Sequence, residues 1–171
     1  MAGLRDGSRQ AFEGLFDRYR EPVWGFFRRR VPDRAQAEEL TQDTFVAVLE
    51  GAARYQARGP FRSYLFGIAY NLLLSHRRRD GNERAATIGD VAAAAGNPDA
   101  GLWVQSALAA LDEDDRELLM LREYEQLSYQ EIAHLQAIPL NTVRSRLFRA
   151  RMALKQALEA RASVGVGHAG R

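Results

Sequence analysis

The stretch "NTVRSRLFRAR", residues 141–151, carries four arginines in eleven positions, with Val143, Leu147 and Ala150 recurring between them. At about 100° per residue, Leu140, Val143, Leu147, Ala150, Leu154 and Leu158 fall within one arc of a helix. Asn141, Thr142, Ser145, Phe148 and Arg149 lie mostly opposite, with Arg144 and Arg146 at the flanks. One face must be buried, and the other meets either water or an anionic partner. Phe148 sharpens the choice. An aromatic off the buried arc is costly unless a nucleic acid or a neighbouring helix covers it.

Working outward, "LSYQEIAHL" (127–135) is the best-specified helix start in the chain. Ser128 and Glu131 have capping-box spacing, and Leu127 and Ile132 occupy the two positions of a hydrophobic staple. A break at "QAI" leads to Pro139, which suits the first turn of a final helix running to about Arg161. A short capped helix, a turn and a basic helix form a helix-turn-helix. In that motif the start of the second helix enters the major groove. An arginine there can bind guanine bidentately, while others neutralise phosphate.

No strand is expected elsewhere. "SRQAFEGLFDRY" (8–19) reads as an amphipathic helix capped by Ser8, with Phe12, Leu15, Phe16 and Tyr19 on one side. Pro22 then opens a separate segment that ends near Val31-Pro32. The next helix starts near Asp33, turns Ala37, Leu40, Thr44, Phe45, Val48 and Leu49 inward, and stops around Gly51. Pro60 opens a long helix closed by Asp80-Gly81-Asn82. Residues 81–101, rich in alanine, glycine and small polar residues, read as a linker. "LWVQSALAAL" and "DDRELLMLREYEQ" then form helices, and residues 162–171 a frayed tail. The expectation is an all-α chain of two small helical domains, 1–80 and 102–161, joined by a flexible linker, the second containing the helix-turn-helix.

Charge is segregated twice. Five acids between Asp33 and Glu50 face one arginine, and residues 54–79 carry six arginines and no acid. Eight acids between Asp112 and Glu131 precede six bases between Asn141 and Arg161. Ordinary solvated faces could produce one such block; two in the same order point to two surfaces with different partners, one of them polyanionic.

Composition excludes several classes. Hydrophobic residues make up 46% of the 171 and charged residues 27%, as in a folded, core-forming protein. The absence of cysteine rules out disulfides, thiolate metal sites and cysteine nucleophiles, and suits the cytoplasm. The most apolar run, "YLFGIAYNLLL", is too short to cross a bilayer, so no membrane insertion is expected. His76, His134 and His168 are scattered, and no zinc-protease, phosphate-loop or nucleophile-elbow motif occurs. Neither an enzyme nor a metal or cofactor site is expected.

"LSYQEIAHLQAIPLNTVRSRLFRARMAL" resembles the domain of bacterial RNA polymerase sigma factors that reads the -35 element, most closely in the extracytoplasmic-function (ECF) group, through its "LSYxEIA…TVxSRLxRAR" pattern. The resemblance implies that Asn141, Thr142, Arg144, Ser145, Phe148 and Arg149 contact DNA. Ala137 stands where many relatives have a turn glycine, so the turn either avoids a left-handed conformation or accepts strain. Asn141 replaces a frequent glycine.

"AEELTQDTFVAVLE" (37–50) resembles the part of sigma domain 2 that grips the β′ coiled coil, which implies that Glu39, Gln42 and Asp43 face core polymerase. At i, i+3 and i+4 these three share a helix face. "PFRSYLFGIAYNLLLSHRRR" resembles the helix that meets the -10 element, and "YQARGPF" the loop that captures an extruded base. The implied -10 set is Tyr55, Gln56, Arg58, Phe61, Arg62, Tyr64, Asn71, Arg77, Arg78 and Arg79. Tyr64 replaces a common tryptophan, and Gly67 a usual arginine. Arg77, Arg78 and Arg79 also suit a helix C-terminus electrostatically, so capping alone could explain them.

The implied partners are core RNA polymerase through its β′ and β subunits, promoter DNA and an anti-sigma factor, with no autoinhibitory domain ahead of the first helix. A stand-alone helix-turn-helix regulator is the alternative. It would need only the second half and leaves the first without a task. A helical adaptor is a third.

Overall fold

The computed structural model describes residues 8–56, 59–79 and 98–166, with backbone alone at 98–101 and 160–166. Among the described residues there are seven α-helices and one 3-10 turn, with no strand. The chain divides into two compact units, residues 1–89 and 90–171. Most of the expected linker (81–97), Asp80 before it and the end of the tail (167–171) lie outside the described residues.

The first unit holds α1 (Arg9–Arg28), α2 (Arg34–Gly51), a 3-10 turn (Ala52–Arg54) and α3 (Phe61–Arg79). Ser8 caps α1, its Oγ accepting from the Ala11 N–H at 3.2 Å. The expected break at Pro22 does not occur: α1 runs straight through it. An internal proline costs roughly 3 kcal/mol. Beyond it, however, Val23, Phe26 and Phe27 are completely buried, each worth about 1.5–3 kcal/mol. Helical continuation is what carries all three onto the apolar stripe begun by Phe12, Phe16 and Tyr19. Burial wins.

α2 is capped by Asp33, whose carboxylate accepts from the Ala35 N–H at 3.0 Å. It buries Ala37, Leu40, Phe45 and Val48. Thr41 and Thr44 are buried too, and satisfy their hydroxyls by donating to the carbonyls of Ala37 and Leu40 at 2.6 and 2.8 Å. Leu49, expected inside, is 44% exposed. It sits seven residues after Gln42, two turns along the same outer face. α2 packs on both α1 and α3, and α3 contributes Leu65, Phe66, Ala69 and Leu73 to the shared core.

The second unit holds α4 (Pro98–Ala109), α5 (Glu113–Glu123), α6 (Tyr129–Leu135) and α7 (Leu140–Val166). α4 begins inside the stretch read as linker, because Pro98 is preset for a first helical turn. α7 packs against all three other helices. Val143, Leu147 and Ala150 are fully buried on it, while Leu140, Leu154 and Leu158 are half-buried. The helix extends past Arg161 to Val166, into the expected tail.

The capping box of α6 is formed as expected. Ser128 Oγ accepts from the Glu131 N–H at 3.2 Å, and Glu131 Oε2 from the Ser128 N–H at 2.6 Å. Leu127 and Ile132 are both buried. At the other end, the Ile138 N–H reaches the Ala133 carbonyl at 3.1 Å and the Ala137 N–H reaches His134 at 3.3 Å. That is a Schellman closure, whose penultimate residue must be left-handed. Ala137 accepts this conformation, with φ 52°. Ala137→Gly should therefore raise stability by about 0.5–1 kcal/mol, the relieved Cβ strain minus glycine's greater unfolded-state entropy. Thermal unfolding of the two proteins side by side measures it.

Candidate nucleic-acid and polymerase interfaces

On α7, burying the Val143–Leu147–Ala150 stripe turns Asn141, Arg144, Ser145, Phe148 and Arg149 to solvent, with Thr142 half-buried beside them. Their side-chain bonds are local: Arg144 donates to Asn141 Oδ1 at 3.2 Å, and Ser145 to the Thr142 carbonyl at 3.1 Å. Phe148 is 64% exposed, so no helix among the described residues covers it. One turn on, Met152 is 42% exposed and lengthens the apolar part of this face. Sequence reading passed over it, although its i+4 spacing from Phe148 was the available signal.

The four arginines divide into two pairs. Arg146 reaches back to Asp114 at 3.0 Å, and Arg151 to Glu123 at 2.8 Å and the Tyr129 hydroxyl at 2.9 Å. The bonds to Glu123 and Tyr129 hold the Arg151 guanidinium above its ordinary pKa, against the opposing effect of burial. Arg144 and Arg149 point outward. Part of the charge segregation along the chain is therefore neutralised between α5 and α7. Arg151 pins the second helix of the motif to the first through Tyr129, and to α5 through Glu123.

In the first unit, Glu39, Gln42 and Asp43 lie exposed along one face of α2. Val46, at 51% exposure, and Leu49 continue this face toward the helix end. Glu38 is drawn away from it by Arg20, 3.2 Å distant on α1. The face is thus acidic at one end and apolar at the other.

Beyond α2, Gly51, Arg54, Tyr55, Gln56 and Tyr64 line an open pocket of about 450 Å³. Its two tyrosines belong to a continuous aromatic cluster. Tyr55 and Tyr64 meet edge-on at 4.7 Å, Phe61 stands 6.0 Å from Tyr64, and Tyr19 of α1 backs Phe61 at 5.5 Å. Burial raises the Tyr64 phenol above the ordinary tyrosine value, helped by Tyr55 and opposed by Arg54. From Tyr64, a stripe at near-seven-residue spacing runs down α3 through Asn71 to Arg78, whose Nη2 donates to Ser75 Oγ at 3.2 Å. Gly67 lies on its edge, where an added Cβ would meet nothing within 4 Å.

Not every expected -10 residue joins this arrangement. Arg62 projects from the opposite side of α3, its guanidinium 5.0 Å over the Phe66 ring. Arg77 is half-buried off the stripe, whereas Arg78 and Arg79 are exposed. Arg58 lies outside the described residues. Tyr19 belongs to the aromatic cluster, but its helical spacing marked it only as core.

Residues 15–83 match the family model of Sigma-70 region 2, and residues 101–154 that of Sigma-70 region 4. The chain is similar to the RNA polymerase sigma factor CarQ of Myxococcus xanthus, with 34% identity over 92% of this chain and 95% of that one. This chain belongs to the ECF group of RNA polymerase sigma factors. It is also similar to the ECF RNA polymerase sigma factor SigC of Mycobacterium tuberculosis, with 33% identity over 86% of this chain and 83% of that one. Among solved structures, CnrH in complex with the cytosolic domain of CnrY superposes with a TM-score of 0.65 at 26% identity, over 93% of this chain and 94% of that one.

Sigma factors are initiation factors rather than enzymes. Among the described residues no cluster of acids and histidines could hold a metal ion, and no helix is long and apolar enough to cross a membrane. Behind the exposed face of α7, Arg151 ties the helix to Glu123 and Tyr129. Both charged partners are substantially exposed, so solvent screens the pair. Arg151→Ala should lower the stability of the second unit by about 1 kcal/mol. In denaturant titrations, combining it with Glu123→Ala should cost less than the sum of the two single changes.

Proposed function

We propose that the chain binds core RNA polymerase and directs it to promoters, its first unit engaging the β′ coiled coil and the -10 element and its second reading the -35 duplex. On this reading residues 1–80 act as sigma domain 2, residues 102–161 as sigma domain 4, and the intervening residues as a linker. The observation that carries it is the co-occurrence, in this order, of region 2 and region 4 matches, each on a unit that exposes a distinct polar face.

The physics of each face fits its assigned partner. Glu39, Gln42 and Asp43 offer carboxylates and an amide along one helix side, suited to basic side chains on a partner, with Val46 and Leu49 adding apolar contact. Such charge pairs bring specificity and on-rate more than raw affinity. In the first unit, Tyr55, Gln56, Phe61 and Tyr64 offer π-faces and edge groups to an extruded base, and Asn71, Arg78 and Arg79 approach the backbone. Extrusion costs a few kcal/mol, offset by stacking and edge contacts. In the second unit Asn141, Thr142, Arg144, Ser145 and Arg149 provide donors for base edges and phosphate, and Phe148 an apolar surface for a thymine methyl. Contact with the β subunit, work in the cytoplasm and restraint by an anti-sigma factor complete the proposal. The last rests on the family resemblance.

The defining experiment is transcription from a randomised promoter library with added core polymerase. A sigma factor starts it at a selected motif, a stand-alone repressor blocks it, and an adaptor does neither. Asp43→Arg, at an exposed position, should abolish co-purification with core while leaving the circular dichroism spectrum intact; retained binding would remove the α2 face from the proposal. Arg149→Ala should cost about 1–3 kcal/mol at the selected -35 sequence. A loss of equal size on every sequence would make Arg149 a phosphate contact instead.

A further inference from the structure

Gly51 closes α2 directly behind the Tyr64 phenol. Its backbone is ordinary helix, φ −79° and ψ −12°, a conformation open to every residue. Glycine's conformational freedom is therefore not what the position uses. Space is. A Cβ at Gly51 would lie 2.5 Å from Tyr64 Oη, with Tyr64 Cζ at 3.9 Å and, beyond its chain neighbours and the backbone of its own helix, no other atom within 4 Å. An oxygen cannot remain that close to a methyl carbon, so one of them must move. The yielding group is the tip of a side chain, so the ring would swing while the two helices stay in place.

That swing has a consequence for the pocket. Tyr64 is one of its walls and touches Tyr55, another wall, at 4.7 Å. The stacking surfaces take any base, because every base has a π-face. Discrimination falls to the groups placed around the edge, here the tyrosine hydroxyls, the Gln56 amide and the Arg54 guanidinium. Hydrogen bonds from such groups weaken steeply once distance and angle drift.

We propose that Gly51 is a positioning residue that sets the base selectivity of this pocket, by leaving the space in which the Tyr64 hydroxyl is seated. The proposal rests on the reading of the pocket as the seat of an extruded -10 base. No alanine could serve in its place while Tyr64 keeps its hydroxyl.

The test uses full-length chain assembled with core polymerase. The probes are fluorescent single-stranded oligonucleotides carrying the -10 sequence selected from the promoter library, with each of the four bases in turn at the extruded position. Wild type should prefer one base. Gly51→Ala should weaken that preference by about tenfold, the scale of one displaced base contact, with core binding and melting temperature unchanged. In the Tyr64→Phe background, where the colliding oxygen is gone, the same Gly51→Ala change should have no effect.

If wild type binds all four oligonucleotides alike, the reading of the pocket fails and the proposal falls with it. If wild type discriminates and Gly51→Ala does so equally well, the pocket stands and the role of Gly51 is refuted. An equal loss in the Tyr64 and Y64F backgrounds would also refute it, because the effect would not run through the hydroxyl.

Discussion

The rotation of α7 about its own axis decides what the second unit can offer a partner. That rotation is set by burial of Val143, Leu147 and Ala150 against the three shorter helices. Burying a valine or leucine side chain is worth about 1.5–3 kcal/mol, whereas a surface ion pair contributes roughly 0.2–1 kcal/mol. The apolar seam therefore sets the orientation, and the bonds of Arg146 and Arg151 trim it. Once the seam is placed, Asn141, Ser145, Phe148 and Arg149 have nowhere to point but outward. The exposed chemistry follows from the buried geometry.

The first unit obeys the same logic with aromatics in place of aliphatics. Phe26, Phe27 and Phe66 fill its centre, and their burial carries α1 across a proline that local preference would make a boundary. The outer aromatic cluster of Tyr19, Tyr55, Phe61 and Tyr64 is not fully covered, and two of its members, Tyr55 and Tyr64, form a pocket wall rather than core. The difference between core and pocket wall here is one of depth, not of residue type.

Much of this was legible from local pattern. The Ser128–Glu131 box, the buried Leu127 and Ile132, the Asp33 cap and the buried arc of α7 all depend on residues within a few positions of one another. What escaped depends on distance along the chain or on competition between local rules. Arg151 finds Tyr129 and Glu123 at separations of 22 and 28 residues, and no spacing rule selects Glu123 from eight acids. Pro22 signalled a break that tertiary burial overrode. Leu49 was assigned to the core by its chemistry, although its two-turn offset from Gln42 placed it outside. At Ala137 the sequence left two outcomes open, and closure of the α6 turn required the strained one. Arg62 was named for a face that helical geometry denies it, since two residues turn a helix by more than half a circle.

The exposed side chains of α7 have a further consequence for how such a protein can diversify. Asn141, Ser145, Phe148 and Arg149 hold no other helix in place, their hydrogen bonds being confined to a single turn. Replacing any of them alters what is touched while leaving the scaffold indifferent. The surface chemistry of this face can thus change one residue at a time, each step tolerated by the fold and none needing a compensating change elsewhere.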